Sequence, residues 1–412
     1  MPTKPPQSNL IKKRAVFFVG GFDPKSAQAF YERADRENER FARLWDVVVT
    51  RDDAVSIGPD ITRATFHCRS RDESQDWETQ TDFHFVSLDD IVLSDFNEPE
   101  RTRFQRYLRT FSNFVMTGTA FKFFWHSWRF ALYFFYPALA LILCTFFSYW
   151  VSSSLLGFGW YLSGIVALVA GTALFVFLYN WLLKRYSVSH LMDLWSFSKE
   201  YLYRSRNDIE EKLDRVADQI FGAANSGEYD EILTIGHSTG GALMLDATSR
   251  VLDRHPEYKS LGHQVTILTL GSTALKVGLH PAANWFRSQL AIFFKQTDTA
   301  WIEFQCLTDV INFYKTDPAE LMGFKDDMQR PIEIYKVRIK NMVSPEVYKR
   351  IKRNYFRVHY QFVFGNTVKN LYDYPAICYG PVRVQDRLNG GDSKTTPNPY
   401  LDDIAGITKA IP

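Results

Sequence analysis

The 412-residue chain has only four cysteines, Cys68, Cys144, Cys306 and Cys378, and no two of them lie close enough in sequence to form a zinc-ligand or redox pair. That spacing excludes a disulfide framework and a Cys-based metal site, and predicts free thiols in a reducing compartment. Charge excess is also missing. Lys plus Arg number 48 against 46 Asp plus Glu, a net charge of +2, so composition gives no reason to expect a nucleic-acid partner. Met1 to Arg14 is Pro-rich and basic and lacks the apolar stretch of a signal peptide, and it reads as a disordered leader. No internal repeat or low-complexity tract is present. The absence with the largest consequence is internal: from Phe130 to Leu183, 54 consecutive residues contain no Asp, Glu, Lys or Arg.

That window holds two apolar runs, 130–151 and 160–183, separated by the uncharged turn Ser152 to Gly159. Each is long enough to cross a hydrocarbon core of about 30 Å at about 1.5 Å per residue, which predicts a transmembrane helical hairpin. Tyr133, Tyr136, Tyr149, Trp150, Trp160, Tyr161, Tyr179 and Trp181 stand near the run ends, where amphipathic rings favour the interface. Arg103, Arg106, Arg109, Lys122 and Arg129 precede the hairpin, and Lys184, Arg185, Arg204 and Arg206 follow it. With no positive charge in the turn, both chain ends and the polar mass are expected on the cytoplasmic side of an inner, cytoplasmic membrane. The lipid bilayer is thus one expected partner.

The rest alternates as an α/β protein should. Ala15 to Val19 is a short apolar run ending in Gly20-Gly21-Phe22-Asp23-Pro24, as a buried parallel strand would, and Ser26 can cap a helix from Ala27 to Trp45. Trp45 to Thr50, Ile61 to Arg69 and Thr79 to Leu88 read as strands, the last in the main sheet and the others in a small meander. Pro99 to Arg129 reads as an aromatic, basic helical stretch that either lies along a membrane interface or packs on the soluble part. Leu191 to Phe221 reads as amphipathic helix. After it come strand Glu231 to Ile235, a helix to Leu252, strand Val265 to Leu270, a helix over Trp285 to Phe294 and strand Trp301 to Leu307. The expected organisation is a leader over 1–14, a first α/β part over 15–98, a helical and membrane part over 99–190, a second α/β part over 191–383, and a loose tail over 384–412.

The motif with chemical content is Gly236-His237-Ser238-Thr239-Gly240, set between an apolar strand and a helix. Glycines on both sides of the serine tolerate a sharp turn that lifts the hydroxyl off the sheet. The same turn aims the Thr239 N–H, at the positive end of the following helix, toward a developing oxyanion. The plainer role for Ser238 is a helix cap. A reactive serine needs a base, and the base needs a carboxylate to fix its tautomer.

Strand, turn and helix around Ser238 resemble the α/β-hydrolase superfamily over residues 15–45 and about 207–365. The fold this implies is a mostly parallel sheet flanked by helices, here with the membrane hairpin inserted, and the family's order is serine, acid, histidine. His359, the last histidine, leaves room for a further βα unit before it. His255 and His280 each precede a proline in a loop, and His263 falls at the far end of a strand. Asp309, just past the strand that begins at Trp301, stands at the carboxyl edge of the sheet, with Asp317 as the alternative acid. Gly20-Gly21-Phe22 resembles the family's oxyanion turn, with Gly20 where histidine is commoner. There Phe22 supplies an N–H, and Gly21 permits close approach. The resemblance implies a membrane-anchored serine hydrolase that cleaves a small-molecule or lipid ester through an acyl-enzyme, with no cofactor and no metal. The competing expectation is a hydrolase-fold scaffold without activity.

Overall fold

Strands β1 (Lys13–Val19), β6 (Glu231–His237), β7 (Thr266–Leu270) and β8 (Ala300–Cys306) are buried along almost their whole length, as expected of short apolar runs covered on both faces. A computed structural model describes the chain except residues 1–9, 74, 157–162, 186–187, 263, 390–407 and 410–412, and gives only the backbone of 163, 182–185 and 408–409. The expected leader (apart from its last residues), His263, Trp160, Tyr161, most of the tail and the end of the Ser152–Gly159 turn therefore lie outside the described residues.

The remaining strands are β2 (Val47–Arg51), β3 (Val55–Ser56), β4 (Ile61–Ser70), β5 (Glu78–Val86), β9 (Glu333–Val337) and β10 (Thr408–Lys409). They join in the order β10-β9-β8-β7-β6-β1-β5-β4-β2, with β3 on β4. Pairing is parallel from β5 through β1, β6, β7 and β8 to β9, and antiparallel at β4, β2, β3 and β10. The protein is thus α/β, with a mostly parallel mixed sheet flanked by helices. The meander reading of the early strands holds: β5 enters the parallel core, and β4 and β2 extend it. β9 has no counterpart in the sequence reading.

The chain divides into two compact units, Met1–Leu93 with Arg204–Pro412, and Ser94–Tyr203. In the first, helix Ala27–Trp45 is capped by Ser26, whose Oγ accepts from the Ala29 N–H at 3.3 Å. It packs Phe30 over the sheet ring to ring with Phe85, at 4.2 Å between centroids. Arg14 is fully buried and donates to Glu231 and to the carbonyls of Cys378, Gly380 and Val382. This staples the C-terminal segment to the start of the sheet.

The described residues past 383 correct the expectation of a loose tail over 384–412. Val384–Asn389 is a helix with Val384, Arg387 and Leu388 buried; the Val384 N–H donates to Glu231 and Arg387 donates to the carbonyls of Leu371 and Asn370. Thr408–Lys409 then pairs with β9. All four cysteines are buried and free.

The second unit is helical: Glu100–Met116, Thr119–His126, Trp128–Leu156, Ser163–Arg185 and Val188–Leu202. The expected single stretch before the hairpin breaks at Gly118, whose φ of 74° is left-handed. Val188–Leu202 is buried nearly all round rather than amphipathic, and ends before the amphipathic Asn207–Ser226 of the other unit. Its Asp193 is paired with Arg103, and its Ser196 and Ser198 hydroxyls donate to helix carbonyls one turn back, so these three buried side chains are satisfied without water. Trp128–Leu156 and Gly164–Trp181, with mean hydropathy 2.0 and 1.8, are long and apolar enough to cross a membrane. They approach closely where a Cβ on Gly171 would stand 3.0 Å from the Ser152 Cβ.

Candidate active site

Ser238 sits just past β6 with φ 59°, a left-handed conformation that a non-glycine residue holds only when its surroundings impose it. The surroundings do so with hydrogen bonds. The Ser238 N–H donates to the Leu270 carbonyl at 3.1 Å, and the Ser238 carbonyl accepts from Gly241 and Thr273 at 3.1 and 3.0 Å. The glycines of the motif are required by space. A Cβ at Gly236 would lie 2.4 Å from the Gly240 carbonyl oxygen, and one at Gly240 would lie 2.3 Å from the oxygens of both Val19 and Gly20. Helix Gly240–Arg254 therefore starts directly against the end of β1.

This contact carries the Gly20-Gly21-Phe22 turn to the serine. A Cβ on Gly21 would stand 3.3 Å from the Ser238 Cβ and 3.5 Å from its Oγ, and Phe22 beside it is buried. Among the described residues the Thr239 backbone N–H donates to no protein group. The Thr239 hydroxyl accepts from the ammonium of Lys276 at 2.9 Å, and burial pushes that lysine down to about 7.

Three residues past β8, Asp309 is buried and shaped by its own loop. Its Oδ1 accepts from the Ile311 N–H at 2.9 Å, while Asn312 bridges the Cys306 and Asp309 carbonyls at 2.9 and 2.7 Å. Its Oδ2 lies 2.7 Å from Nδ1 of His359, a pair that is 50 residues apart in sequence and almost wholly buried. With the carboxylate as acceptor, Nδ1 carries the proton and Nε2 keeps a lone pair. Nε2 is buried and, among the described residues, has no hydrogen-bond partner. A buried imidazole with one side satisfied and the other open is poised to take a proton. Among the described residues the Ser238 hydroxyl makes no hydrogen bond to it; such catalytic bonds often tighten only around a substrate.

His359 belongs to the short helix Tyr355–Tyr360, capped by Asn354. Its carbonyl accepts from His237 Nε2 at 3.2 Å, and the two rings lie 4.5 Å apart. Burial, then the neighbouring His359, hold His237 well below the usual histidine range, so it stays neutral behind the candidate base. Tyr360 donates to Asp23, tying the glycine turn to the helix of His359. His237, Asn312, Tyr360 and Lys276 were not assigned roles from sequence. His237 was visible inside the serine motif, while nothing local marks the other three.

The remaining candidates have other work. Asp317 caps Pro318–Leu321 and pairs with Lys325 at 3.0 Å, while His359 bonds Asp309. His255 pairs with Asp218 at 2.9 Å and stacks on Phe221, and His280 accepts from the Ala282 N–H. Among the described residues no group of three or more His, Cys, Asp or Glu side chains could hold a metal ion. No protein-family model, curated protein or solved structure matches the chain.

Proposed function

We propose that the chain is a serine hydrolase of the α/β-hydrolase kind, held at a membrane by its two apolar helices and cleaving carboxylic esters through an acyl-enzyme. The observation that carries the proposal is the Asp309–His359 pair at 2.7 Å, with its open Nε2, on the sheet edge where Ser238 stands in a strained turn. In this reading His359 takes the Ser238 proton as the oxygen attacks the ester carbonyl. The Thr239 and Phe22 N–H groups receive the oxyanion, and the imidazolium then protonates the leaving alcohol. Water activated by the same ring releases the acid. Strand order supports the family assignment: the strand bearing Ser238 lies beside the strand bearing the glycine turn, and the acid leaves the sheet two strands away.

The helices Trp128–Leu156 and Gly164–Trp181 favour a substrate met at a bilayer, a lipid or acyl-chain ester. Positive charge on both sides of the hairpin and none in its turn favours a cytoplasmic position for the catalytic part. A fluorophosphonate probe should label the parent and leave Ser238→Ala unlabelled, and 4-nitrophenyl esters of graded chain length should be hydrolysed only by the parent. Equal labelling of the two proteins would end the proposal. The missing Ser238–His359 hydrogen bond favours a second reading, a membrane-tethered scaffold without activity. That reading requires the parent to be inert to the probe.

A further inference from the structure

A cleft runs beside the Gly20-Gly21 turn, with Phe18, Phe30 and Phe85 in its wall, Lys25 and Arg33 at its polar side, and His237 and Tyr360 at its end. The cleft is partly open to solvent, so a small polar end of a substrate can approach Lys25 and Arg33 from outside.

The charge in this cleft is unbalanced. Lys25 is paired with Asp23 at 2.7 Å, and the Asp23 carboxylate also accepts from the Tyr360 hydroxyl. Arg33 has no carboxylate in ion-pair or hydrogen-bond reach among the described residues. Instead its guanidinium lies over the rings of Phe30 and Phe364, at 5.1 and 5.6 Å. Arg357 stands over the other neighbour of that arrangement, 4.2 Å from the Phe364 ring, and adds a second positive charge nearby. Ring stacking uses the faces of a guanidinium and leaves its edge donors for a ligand, and the planar fork matches a carboxylate or a phosphate. One cation is thus partly dry and, among the described residues, without a carboxylate partner, at a cleft that the turn against Ser238 helps to line.

Resting on the hydrolase proposal, we infer that the substrate is an ester carrying an anionic group, carboxylate or phosphate, which Arg33 binds while the ester carbonyl lies at Ser238. The field of Arg33 and Lys25 already reaches His237, where both cations disfavour protonation. The His237 ring lies 4.5 Å from that of His359, tilted by 34°, so an anion seated on Arg33 acts on the direct neighbour of the candidate base.

The test compares two soluble esters matched in length, mono(4-nitrophenyl) adipate and 4-nitrophenyl hexanoate, with the parent, Arg33→Gln and Arg33→Lys. The parent should prefer the adipate, and Arg33→Gln should lower the adipate-to-hexanoate ratio of kcat/KM by about ten- to a hundredfold, as expected for a lost charge-assisted bond, with partial recovery in Arg33→Lys. A second arm offers phosphatidylglycerol and phosphatidylcholine vesicles. Preference for the adipate with no preference between vesicles assigns the anion to a soluble ester, and preference for phosphatidylglycerol assigns it to a lipid headgroup. A ratio unchanged by Arg33→Gln in both arms overturns the inference. If the parent hydrolyses nothing, the hydrolase proposal fails instead. Calorimetry with inorganic phosphate then decides the anion site by itself: binding to the parent and not to Arg33→Gln supports it, and equal or absent binding overturns it.

Discussion

Replacing Asp309 by Asn separates a catalytic His359 from one that only packs. The carboxyl group is 1% exposed, with Oδ1 on the Ile311 N–H and Oδ2 on His359 Nδ1. Asn has nearly the same volume, so the loop held by Asn312 should keep its shape. The Ile311 N–H needs an acceptor, which places the new carbonyl oxygen there and turns the NH2 group toward the imidazole. A donor at that position forces Nδ1 to accept, moves the ring proton to Nε2, and removes the lone pair that the Ser238 hydroxyl needs.

The substitution also deletes a charge. An imidazolium and a carboxylate about 4 Å apart attract by about 4 kcal/mol at an effective dielectric near about 20. At about 1.4 kcal/mol per decade this is roughly a thousandfold in rate, and the wrong tautomer adds to it. Asp309→Asn should therefore lower kcat/KM on 4-nitrophenyl esters by about 10³- to 10⁴-fold, with a thermal midpoint within a few degrees of the parent. Ser238→Ala, measured beside it, sets the floor. Turnover by Asp309→Asn within about threefold of the parent, with Ser238→Ala inactive, would refute the pairing as the source of the base.

Three further substitutions follow from the same geometry. Gly21→Ala places a methyl group 3.3 Å from the Ser238 Cβ and 3.5 Å from its Oγ, so activity should fall by about ten- to a hundredfold while circular dichroism stays unchanged; full activity would mean that the turn does not border the reacting oxygen. Gly240→Ala drives a Cβ to 2.3 Å from two carbonyl oxygens of the β1 end, where backbone cannot yield, and should cost roughly 3 kcal/mol in chemical denaturation, a value near zero counting against the close helix contact. Glu303, buried in β8 and bonded to the Thr269 hydroxyl, has its carboxyl pushed up to about 8 by burial. The fold keeps that proton up to about pH 8 while the unfolded chain releases it near pH 4.5, so stability should be full below that lower value and decline through the window. Glu303→Gln should flatten the decline when unfolding is measured at about pH 5 and about pH 8, and an unchanged slope would place its cause elsewhere.

What was legible in the sequence is what local chemistry writes. The apolar runs at β1 and β6 to β8 have their strand form because both faces are buried, and Gly236 and Gly240 have their places because the turn admits no Cβ two residues before or after Ser238. Asp309 could be placed at the sheet edge from strand direction alone, yet Asp309 and Asp317 could not be told apart. Both are short acidic side chains that accept a nearby backbone N–H, and only the partner of the second carboxyl oxygen, His359 or Lys325, separates them. β9 was missed because Glu333-Ile334-Tyr335-Lys336-Val337 mixes charge with apolar residues, as a strand near a sheet edge can. Strand order was out of reach because nothing in β1 names β5 and β6 as its neighbours.

Arg14 shows the physical reason most sharply. Beside a short apolar run it reads as a solvated charge closing a leader, and the Gly, Pro and Asp of the C-terminal region read as slack. Burying a guanidinium is costly unless every donor finds an acceptor, and the carbonyls at the end of the helix Tyr374–Tyr379 and in the turn after it need partners. Each satisfies the other: Arg14 takes the carboxylate of Glu231 and three carbonyls from residues 378 to 382, the first 364 positions away. Two features that look weak apart become one fixed contact at the start of β1, and the other end of that strand delivers the glycine turn to Ser238. Local patterns therefore point to the candidate residues, while their alignment depends on buried long-range pairs whose members carry no mark of one another.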